Sequence, residues 1–247
     1  RLMNLSAEQI QKNWDKHLKI VDTFITGDRK EKLKALYFDL ADEMIMAPAS
    51  GKTFYHNAFP GGYIDHVNRV VHCALKTKQL WQEMGTSIDF TDEELVFAAL
   101  NHDLGKIGSK GKPNYIQQTD KWRQDKLNEM YTPNKDLTFM LIQDRSLFTL
   151  QQYGIALTER EFLAIKLHDG LYDDINKPYY MSFNPDAKFK TNLVYILHNA
   201  DFLASKIEYD TWKSSGGSTE NKAEKTKAST GKTVNASEGL MNLVKNI

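Results

Sequence analysis

Apolar residues recur with helical spacing along most of the chain. After Ser6, the residues Ile10, Trp14, Leu18 and Val21 follow one another at intervals of three or four, which places them on one face of a helix. Serine is a preferred N-cap residue because its side chain accepts a hydrogen bond from a free backbone amide of the first turn. The pattern therefore predicts an amphipathic helix that begins after Ser6.

The same spacing predicts further helices over 28–46, 63–84, 91–105, 158–170 and 189–212. Two of these segments open with a threonine that is followed three residues later by a glutamate, the pattern of a capping box. The segment over 189–212 is apolar on nearly all sides, which is typical of an element at the centre of a fold. Because helical periodicity dominates, we expect an all-α fold.

Four other segments have a different character. Prolines and glycines predict a loop over 48–62, and an unordered mixture of polar and aromatic residues predicts an irregular insertion, or lid, over 108–135. Residues 213–236 are rich in Ser, Thr, Gly and Lys, which predicts a flexible linker. Residues 237–247 have the pattern of a short amphipathic helix, either docked on the core as a final turn or tethered as a peptide that binds a protein partner.

The composition is that of an ordinary globular protein, with 41% apolar and 26% charged residues in a chain of 247. Lys+Arg and Asp+Glu both number 32, so no net charge draws the chain to nucleic acid or to a membrane surface. The single cysteine, Cys73, excludes a disulfide framework, and no apolar run approaches the roughly 18 residues that indicate a membrane span. We therefore expect one large domain, or one and a half small ones, in the cytoplasm.

Four of the seven histidines lie at or near the ends of predicted helices: His66, His102, His168 and His198. Two aspartates accompany them, Asp103 directly after His102 and Asp201 three residues after His198. Residues three apart lie on one face of a helix. Adjacent residues point in different directions on a straight helix and share a metal only where the helix ends, and Gly105 predicts such an end.

These groups have the chemistry of a metal site. Imidazole and carboxylate ligands together suit manganese, iron, cobalt, nickel or zinc, and magnesium less well. The six groups are more than one ion needs, so we expect two ions with Asp103 as the bridging ligand. Lys106 follows one turn after the first histidine of the pair, where its ammonium group would lie near a bound phosphate without being a ligand.

The remaining histidines differ from one another. His56 lies on the predicted loop, ten residues before His66, and is a further candidate for the active site. His17 and His72 fit no such pattern and are expected on the surface or on a helix face.

The order H…HD…D resembles the defining motif of the HD-domain superfamily of metal-dependent phosphohydrolases. The resemblance implies an HD-domain helical bundle over 46–212, with the helices of residues 1–45 packed on its core. Members with two metals add two histidines before the last aspartate, so the implied ligands are His66, His102, Asp103, His168, His198 and Asp201. Lys106 matches the HD-x-x-K variant of the catalytic members.

A closer likeness concerns residues 47–70. They are similar to the segment that enters the HD domain of bacterial 3′-to-5′ exoribonucleases, in which a proline turn, a histidine at the place of His56 and a glycine turn precede the metal histidine. The likeness covers about residues 40–210. Those enzymes carry an OB-fold that grips single strands, whereas residues 1–40 are helical here. The expected substrate is therefore a nucleotide or a related small phosphorylated molecule. RNA is the alternative substrate, although we expect no dedicated RNA-binding domain.

The resemblance also implies roles for individual side chains. Asp103 would orient the attacking hydroxide, Lys106 would stabilise developing charge, and His56 or Asp169 would carry a proton to the leaving oxygen. Cations and aromatic rings suit a phosphate and a base. Six residues of the insertion are expected to bind substrate: Lys110, Lys112, Tyr115, Lys121, Trp122 and Arg123. Asp169, at the rim of the site, is expected to bind it as well.

Two other functions stay open on the sequence. Some HD proteins with two irons oxidise inositol-like or phosphonate substrates with oxygen, and histidine and aspartate permit iron. A degenerate HD domain that only binds a partner is the other alternative, although every expected ligand is present. The expected cofactor is a divalent metal, as two ions of Mn, Fe, Ni, Co or Mg.

Overall fold

Helices cover most of the chain, and the fold is all-α, as the sequence predicts. A computed structural model describes residues 4–217. The α-helices within these residues are α1 (Ala7–Phe24), α2 (Gly27–Asp39), α3 (Ala41–Met46), α4 (Gly62–Glu83), α5 (Asp92–Asn101), α6 (Lys121–Leu127), α7 (Ile142–Gln152), α8 (Glu159–Leu167), α9 (Lys177–Tyr180) and α10 (Leu193–Ser214). The two strands, β1 (Tyr115–Gln117) and β2 (Tyr131–Pro133), form a small antiparallel sheet.

Three helices begin with a capping box, and each lies where the sequence predicts a helix start. The N-cap side chain accepts from the backbone of the third helical residue, whose own side chain accepts from the N-cap backbone. The pairs are Ser6 with Gln9 in α1, Thr91 with Glu94 in α5, and Thr158 with Glu161 in α8. Each cap stabilises its helix by about 1 kcal/mol.

The core lies between four helices, α4, α5, α8 and α10. Helix α10 packs against the other three, and α4 also packs along α5. Val67, Leu100 and Leu197 are fully buried there, and complete burial of such a side chain stabilises the fold by about 1.5 to 3 kcal/mol. Each of these helices also carries a predicted site residue, at its end or along its length, so the packing of the core sets the positions of the site.

Several predicted helices differ in length from the apolar pattern: α8 ends at Leu167, three residues before the predicted end, and α10 begins at Leu193, four residues after the predicted start. The helix over 28–46 is interrupted at Leu40, which leaves helical geometry (φ −107°, ψ 21°) and separates α2 from α3. The helix over 91–105 ends at Asn101, and Gly105 lies in the following 3₁₀ turn. Gly105 is needed for close packing instead, because a Cβ there would lie 2.1 Å from the carbonyl oxygen of Ile142.

Helix α7 was not predicted, although it holds the chain after the HD pair in place. The Ser146 hydroxyl accepts from the backbone N–H of Gly105 at 2.8 Å and lies 3.1 Å from the carbonyl oxygen of His102, to which it donates. Its segment is amphipathic but has few aliphatic residues, so its periodicity is weak. The long-range contact with the turn at Leu104–Ile107 is what gives this helix its place.

The insertion over 108–135 is more regular than its sequence indicates. Strands β1 and β2 flank α6, with Tyr115 opposite Pro133 in the register. The hairpin is attached to the loop before α4, because the N–H of Met130 donates to the carbonyl oxygen of Gly51 at 2.8 Å. Strands of three residues are too short to show periodicity, and the pairing with the loop is not visible in the sequence.

The structure describes the N-terminal helices of the chain and the C-terminal part as far as residue 217. Helix α1 packs on α4 and α5, and α3 packs on α4. Helix α10 extends to Ser214, two residues into the linker predicted over 213–236. Residues 218–247, with the rest of that linker and the helix predicted over 237–247, lie outside the described residues. Among the helices of residues 4–217, none combines the length and apolarity required to cross a membrane.

His17 contradicts the expectation of a surface or helix-face residue. Its side chain is fully buried, and its Nδ1 lies 2.9 Å from Asn68 Oδ1. Burial lowers the pKa of His17 to about 4, although the hydrogen bond with Asn68 opposes this shift. His72 is exposed on α4, as predicted.

The free energy of unfolding is expected to decrease between pH 6.5 and pH 4, in part because of His17. Its pKa is about 4 in the folded chain, against 6.5 for a free imidazole, so unfolding takes up a proton in this interval. The contribution of His17 is full above pH 6.5 and is lost as the pH falls through 4, a loss of about 3 kcal/mol.

Urea unfolding across this pH range measures the effect. We expect His17→Gln to flatten the pH dependence, while the exposed His72→Gln keeps the slope of the parent chain. Equal slopes for His17→Gln and the parent would contradict a neutral, buried imidazole at position 17.

Candidate metal centre

The packing of the core helices gathers five of the six predicted metal ligands into one cluster, here called the His/Asp cluster: His66, His102, Asp103, His168 and Asp201. His66 and Asp201 lie on α4 and α10, the HD pair directly follows α5, and His168 directly follows α8. Donor atoms lie within 4.8 Å of one another in four overlapping groups: His66–His102–Asp201, His102–Asp103–His168, His168–Asp169–Asp201 and His56–His66–Asp103.

The carboxylate of Asp103 lies at the centre of this cluster. Its Oδ2 is 3.5 Å from His66 Nε2 and 3.4 Å from His102 Nε2, and its Oδ1 is 3.5 Å from His168 Nε2. Lys106 Nζ contacts Oδ2 at 2.6 Å. The residue is only 2% exposed, and a carboxylate withdrawn from water is stable only with close cationic or donor partners.

The local backbone explains how His102 and Asp103 converge. His102 is the last residue with helical geometry (φ −57°, ψ −39°), and Asp103 turns away from the helix (φ −104°, ψ 12°) into the 3₁₀ turn Leu104–Ile107. The prediction that adjacent ligands need a helix end is consistent with this turn. The end lies at the HD pair itself, two residues earlier than Gly105 indicated.

The outer nitrogen of each ring in the cluster is hydrogen-bonded to an oxygen. His66 Nδ1 lies 3.0 Å from Glu208 Oε1. His102 Nδ1 and His168 Nδ1 each lie 2.8 Å from the carbonyl oxygen three residues earlier, that of Ala99 and that of Ile165. Carbonyl and carboxylate oxygens only accept, so each Nδ1 carries a hydrogen and each Nε2 faces the centre of the cluster.

The inner nitrogens show that the cluster fits a metal ion. His66 Nε2 and His102 Nε2 are buried and have no hydrogen-bond partner; His66 Nε2 lies 3.1 Å from Asp201 Oδ1 but is not aligned for a hydrogen bond. An unsatisfied buried nitrogen is destabilising. Neutral imidazoles whose outer N–H is anchored to oxygen are the usual metal-binding arrangement, and a divalent cation would satisfy both nitrogens.

The electrostatics of the cluster favour a cation. Burial raises the pKa of Asp103, but Lys106 and His102 outweigh it and hold this pKa well below its ordinary value. Burial lowers the pKa of His168, yet Asp169 and Asp103 raise it to about 9. The carboxylates thus retain their negative charge and attract positive charge to the rings, which either protons or metal ions supply.

Lys106 and His56 form a pair beside the cluster. Lys106 Nζ is 3.2 Å from His56 Nε2. Burial and the adjacent Lys106 charge lower the pKa of His56 well below its ordinary value, so this imidazole is neutral and its Nε2 accepts a hydrogen bond from the ammonium. In the structure His56 holds Lys106, and its predicted role as proton carrier stays a prediction.

His198 differs from the other predicted ligands. Its Nδ1 lies 2.6 Å from the carbonyl oxygen of His168, but its ring joins none of the four donor groups among the described residues. The ring packs against Gly170, which has a positive φ of +58° and no room for a Cβ. The metal role of His198 stays a prediction, and its visible role is to close the site beside His168.

Sequence reasoning missed Glu208 and Arg69. Arg69 Nη1 donates to Glu208 Oε1 at 2.7 Å and to Asp65 Oδ2 at 2.9 Å, so it holds the carboxylate that anchors His66. One feature of the sequence could have indicated Glu208. It follows Asp201 by seven residues, or two turns of α10, and so lies on the same face of that helix. Nothing local identifies its partner, which is 142 residues away in the sequence.

Two adjoining cavities lie at and beside the cluster. The smaller, of about 200 Å³, is lined by Asp103, Lys106, His168, Asp201 and His198 among others. The larger, of about 1030 Å³, lies between the loop before α4, the hairpin and α10. Lys106 and Asp169 line both of them, so the two cavities adjoin.

The predicted substrate-binding residues divide between this larger cavity and the outer surface. Tyr115, Arg123 and Asp169 line the cavity. Four others do not line it: Lys110, Lys112, Lys121 and Trp122. Lys110 pairs with Asp39 instead, and the other three are exposed to solvent. Their position at the surface of the insertion gives no support to a substrate-binding role.

Comparison of the chain with protein-family models, with curated proteins and with solved structures found no match.

Gly170→Ala is expected to lower the melting temperature more than Gly154→Ala. Both glycines have positive φ, +58° and +65°, so both substitutions introduce backbone strain of about 1 to 2 kcal/mol. Only at Gly170 does the new Cβ meet a side chain, 2.6 Å from His198 Cε1, whereas nothing lies within 4 Å at Gly154. The clash adds about 1 to 3 kcal/mol. Calorimetry compares the two, and equal decreases would contradict the close packing of His198.

Glu208→Gln is expected to weaken Mn²⁺ binding by about 10- to 100-fold, because an amide does not hold the His66 N–H and the Arg69 guanidinium as a carboxylate does. Isothermal titration calorimetry of the metal-free chain with Mn²⁺ measures the affinity. Asp210→Asn, an exposed acid on the same helix, is the matched control and should bind as the parent does. Unchanged affinity in Glu208→Gln would show that Glu208 does not orient a ligand.

Proposed function

We propose that the chain is a metal-dependent phosphohydrolase of the HD-domain type, which cleaves a phosphoester bond of a nucleotide or a related small phosphorylated substrate. The observation that carries the proposal is the His/Asp cluster, in which unsatisfied Nε2 atoms and the carboxylates of Asp103 and Asp201 converge beside the partly buried Lys106. A lysine at such a place adds what a metal site alone lacks, a fixed positive charge for a phosphoryl group.

The donor groups would accommodate two divalent ions. His66, His102 and Asp201 form one set, and His168 with Asp103 forms part of another. Asp103 lies between them and is the natural shared ligand. Bound divalent ions, of Mn, Fe, Ni, Co or Mg, would lower the pKa of a water molecule and neutralise phosphoryl oxygens. Nitrogen-rich sites of this kind favour the transition metals over magnesium.

The remaining chemistry belongs to side chains of the chain itself. The Lys106 ammonium is held by Asp103 and His56 and faces the smaller cavity. Burial lowers the pKa of Lys106, but Asp103 outweighs it and raises the pKa above its ordinary value, so the charge is permanent. Such a preorganised cation stabilises the negative charge that develops on phosphoryl oxygens.

Asp169 is the group that would pass a proton to the leaving oxygen. Asp169 lines both cavities, and its Oδ1 lies 3.6 Å from His168 Nε2. Since His56 is occupied as the acceptor for Lys106, Asp169 is the better placed of the two predicted groups to pass a proton to the leaving oxygen. Its partial exposure also connects it to solvent, from which a proton can be replaced.

Release of phosphate or nucleoside from nucleotides, cyclic dinucleotides and short RNA, measured with added Mn²⁺, tests this function. We expect the parent chain to hydrolyse at least one of these classes. Asp103→Asn should reduce the rate by at least about 100-fold, because it removes the charge shared by three imidazoles and Lys106. His72→Gln, on the exposed side of α4, should retain the parent rate.

The alternatives give other results in the same experiment. Iron in the purified chain together with oxygen consumption, and no phosphate release, would replace the proposal with oxygen chemistry. Absence of both metal binding and hydrolysis would replace it with a binding module.

A further inference from the structure

The larger cavity offers more space than hydrolysis at the His/Asp cluster requires. Its volume, about 1030 Å³, is at the upper end of the range for sites that enclose a small molecule. The transferred phosphoryl group needs only the smaller cavity. The larger one would therefore hold a part of the ligand that is not hydrolysed.

The charges that line this cavity are predominantly positive. They comprise four cations, Lys52, Lys106, Arg123 and Lys206, and two carboxylates, Glu129 and Asp169. Glu129 is already paired with Arg123 at 3.3 Å and accepts from Gln118 at 2.7 Å. The chain as a whole has a formal net charge of zero, so the positive excess is local to the cavity.

Two of these cations have no carboxylate partner. Within residues 4–217, neither Lys52 nor Lys206 lies within 4.0 Å of an acidic oxygen. Each instead has its ammonium group over aromatic rings. Lys52 Nζ is 5.8 Å from the centroid of Phe54 and 6.0 Å from that of Tyr55, and Lys206 Nζ is 5.2 Å from that of Phe202.

The aromatic rings beside the two lysines are also exposed. Tyr55 is 56% exposed and Phe202 is 42% exposed, although burial of such rings would stabilise the fold. One pair of lysine and exposed ring belongs to the loop before α4 and the other to α10, so the two pairs border the cavity on different elements. Tyr115 and Tyr131 of the hairpin add two more rings to its lining.

We infer that this cavity binds the unhydrolysed part of the substrate, and that this part carries an aromatic base and at least one further phosphate group. The inference rests on the proposed function and names its substrate class. Exposed aromatic rings stack on bases without regard to their identity, and cations beside them neutralise the backbone or the polyphosphate. Nucleoside polyphosphates and short oligonucleotides share this chemistry.

Steady-state kinetics on a graded series of substrates tests the inference. The series is p-nitrophenyl phosphate, a nucleoside 5′-monophosphate, its 5′-triphosphate, and a 5′-phosphorylated dinucleotide. We expect kcat/KM to be at least about tenfold higher for a substrate with a second phosphate than for the monophosphate. Preference for the triphosphate would show that the second phosphate belongs to a polyphosphate chain, and preference for the dinucleotide would show that it belongs to an oligonucleotide backbone.

The double variant Lys52→Ala/Lys206→Ala should lose this preference, mainly through a higher KM for the substrates with two or more phosphates. Tyr55→Ala should reduce the advantage of the monophosphate over p-nitrophenyl phosphate. Lys76→Ala, an exposed lysine on α4 away from the cavity, is the matched control and should retain both preferences. Circular dichroism of each variant verifies folding.

Equilibrium binding of the same nucleotides, measured in parallel, separates the two proposals. Tighter binding of the ligands with a second phosphate, lost in the double variant but without hydrolysis, would support the ligand class and overturn the proposed hydrolysis. Hydrolysis of all substrates with equal kcat/KM, or a preference that survives in the double variant, would overturn the inference and leave the hydrolase intact.

Discussion

The buried carboxylate of Asp103 is the constraint on which the site depends. A charge withdrawn from water destabilises a fold by several kcal/mol unless its partners are close and well placed. Here the partners come from three different helices and from Lys106, and all four of their nitrogens lie within 3.5 Å of a carboxylate oxygen. The packing of the core thus serves two purposes, because the helix positions that bury the apolar side chains also bring imidazoles around one carboxylate. A metal centre explains why this arrangement retains unsatisfied nitrogens.

Two histidines of the cluster are oriented in the same way, each by the helix that it follows. Helices α5 and α8 each begin with a capping box and end at a histidine followed by an aspartate. Each histidine bonds its Nδ1 to the carbonyl oxygen three residues earlier, so its ring is oriented by its own helix. His66 lies in the second turn of α4, where the carbonyl oxygen three residues earlier is used by the helix itself, and a carboxylate from α10 takes its place. This accounts for Glu208, and for the Arg69 that holds it.

The features that could be predicted from the sequence are those that depend on residues close together in the chain. Helix starts were predicted correctly because a cap at Thr91 or Thr158 depends only on residues within one turn, and the ligands were grouped because their residue types and spacings are those of metal sites. Contacts between distant segments were not accessible. Glu208, the attachment of the hairpin to Gly51, and the burial of His17 against Asn68 all depend on where helices meet. The pairing of Lys110 with Asp39, which lies in another helix, was not accessible for the same reason.

X-ray diffraction from crystals grown with Mn²⁺, recorded at the manganese absorption edge, tests the metal centre most directly. The account predicts an anomalous peak within about 2.0–2.2 Å of the Nε2 atoms of His66 and His102, and a second peak beside His168, with Asp103 between them. Absence of any peak in the cluster, with water bonded to those nitrogens instead, would contradict it. The His/Asp cluster would then be a buried polar network, and the chemistry of the chain would have to lie elsewhere.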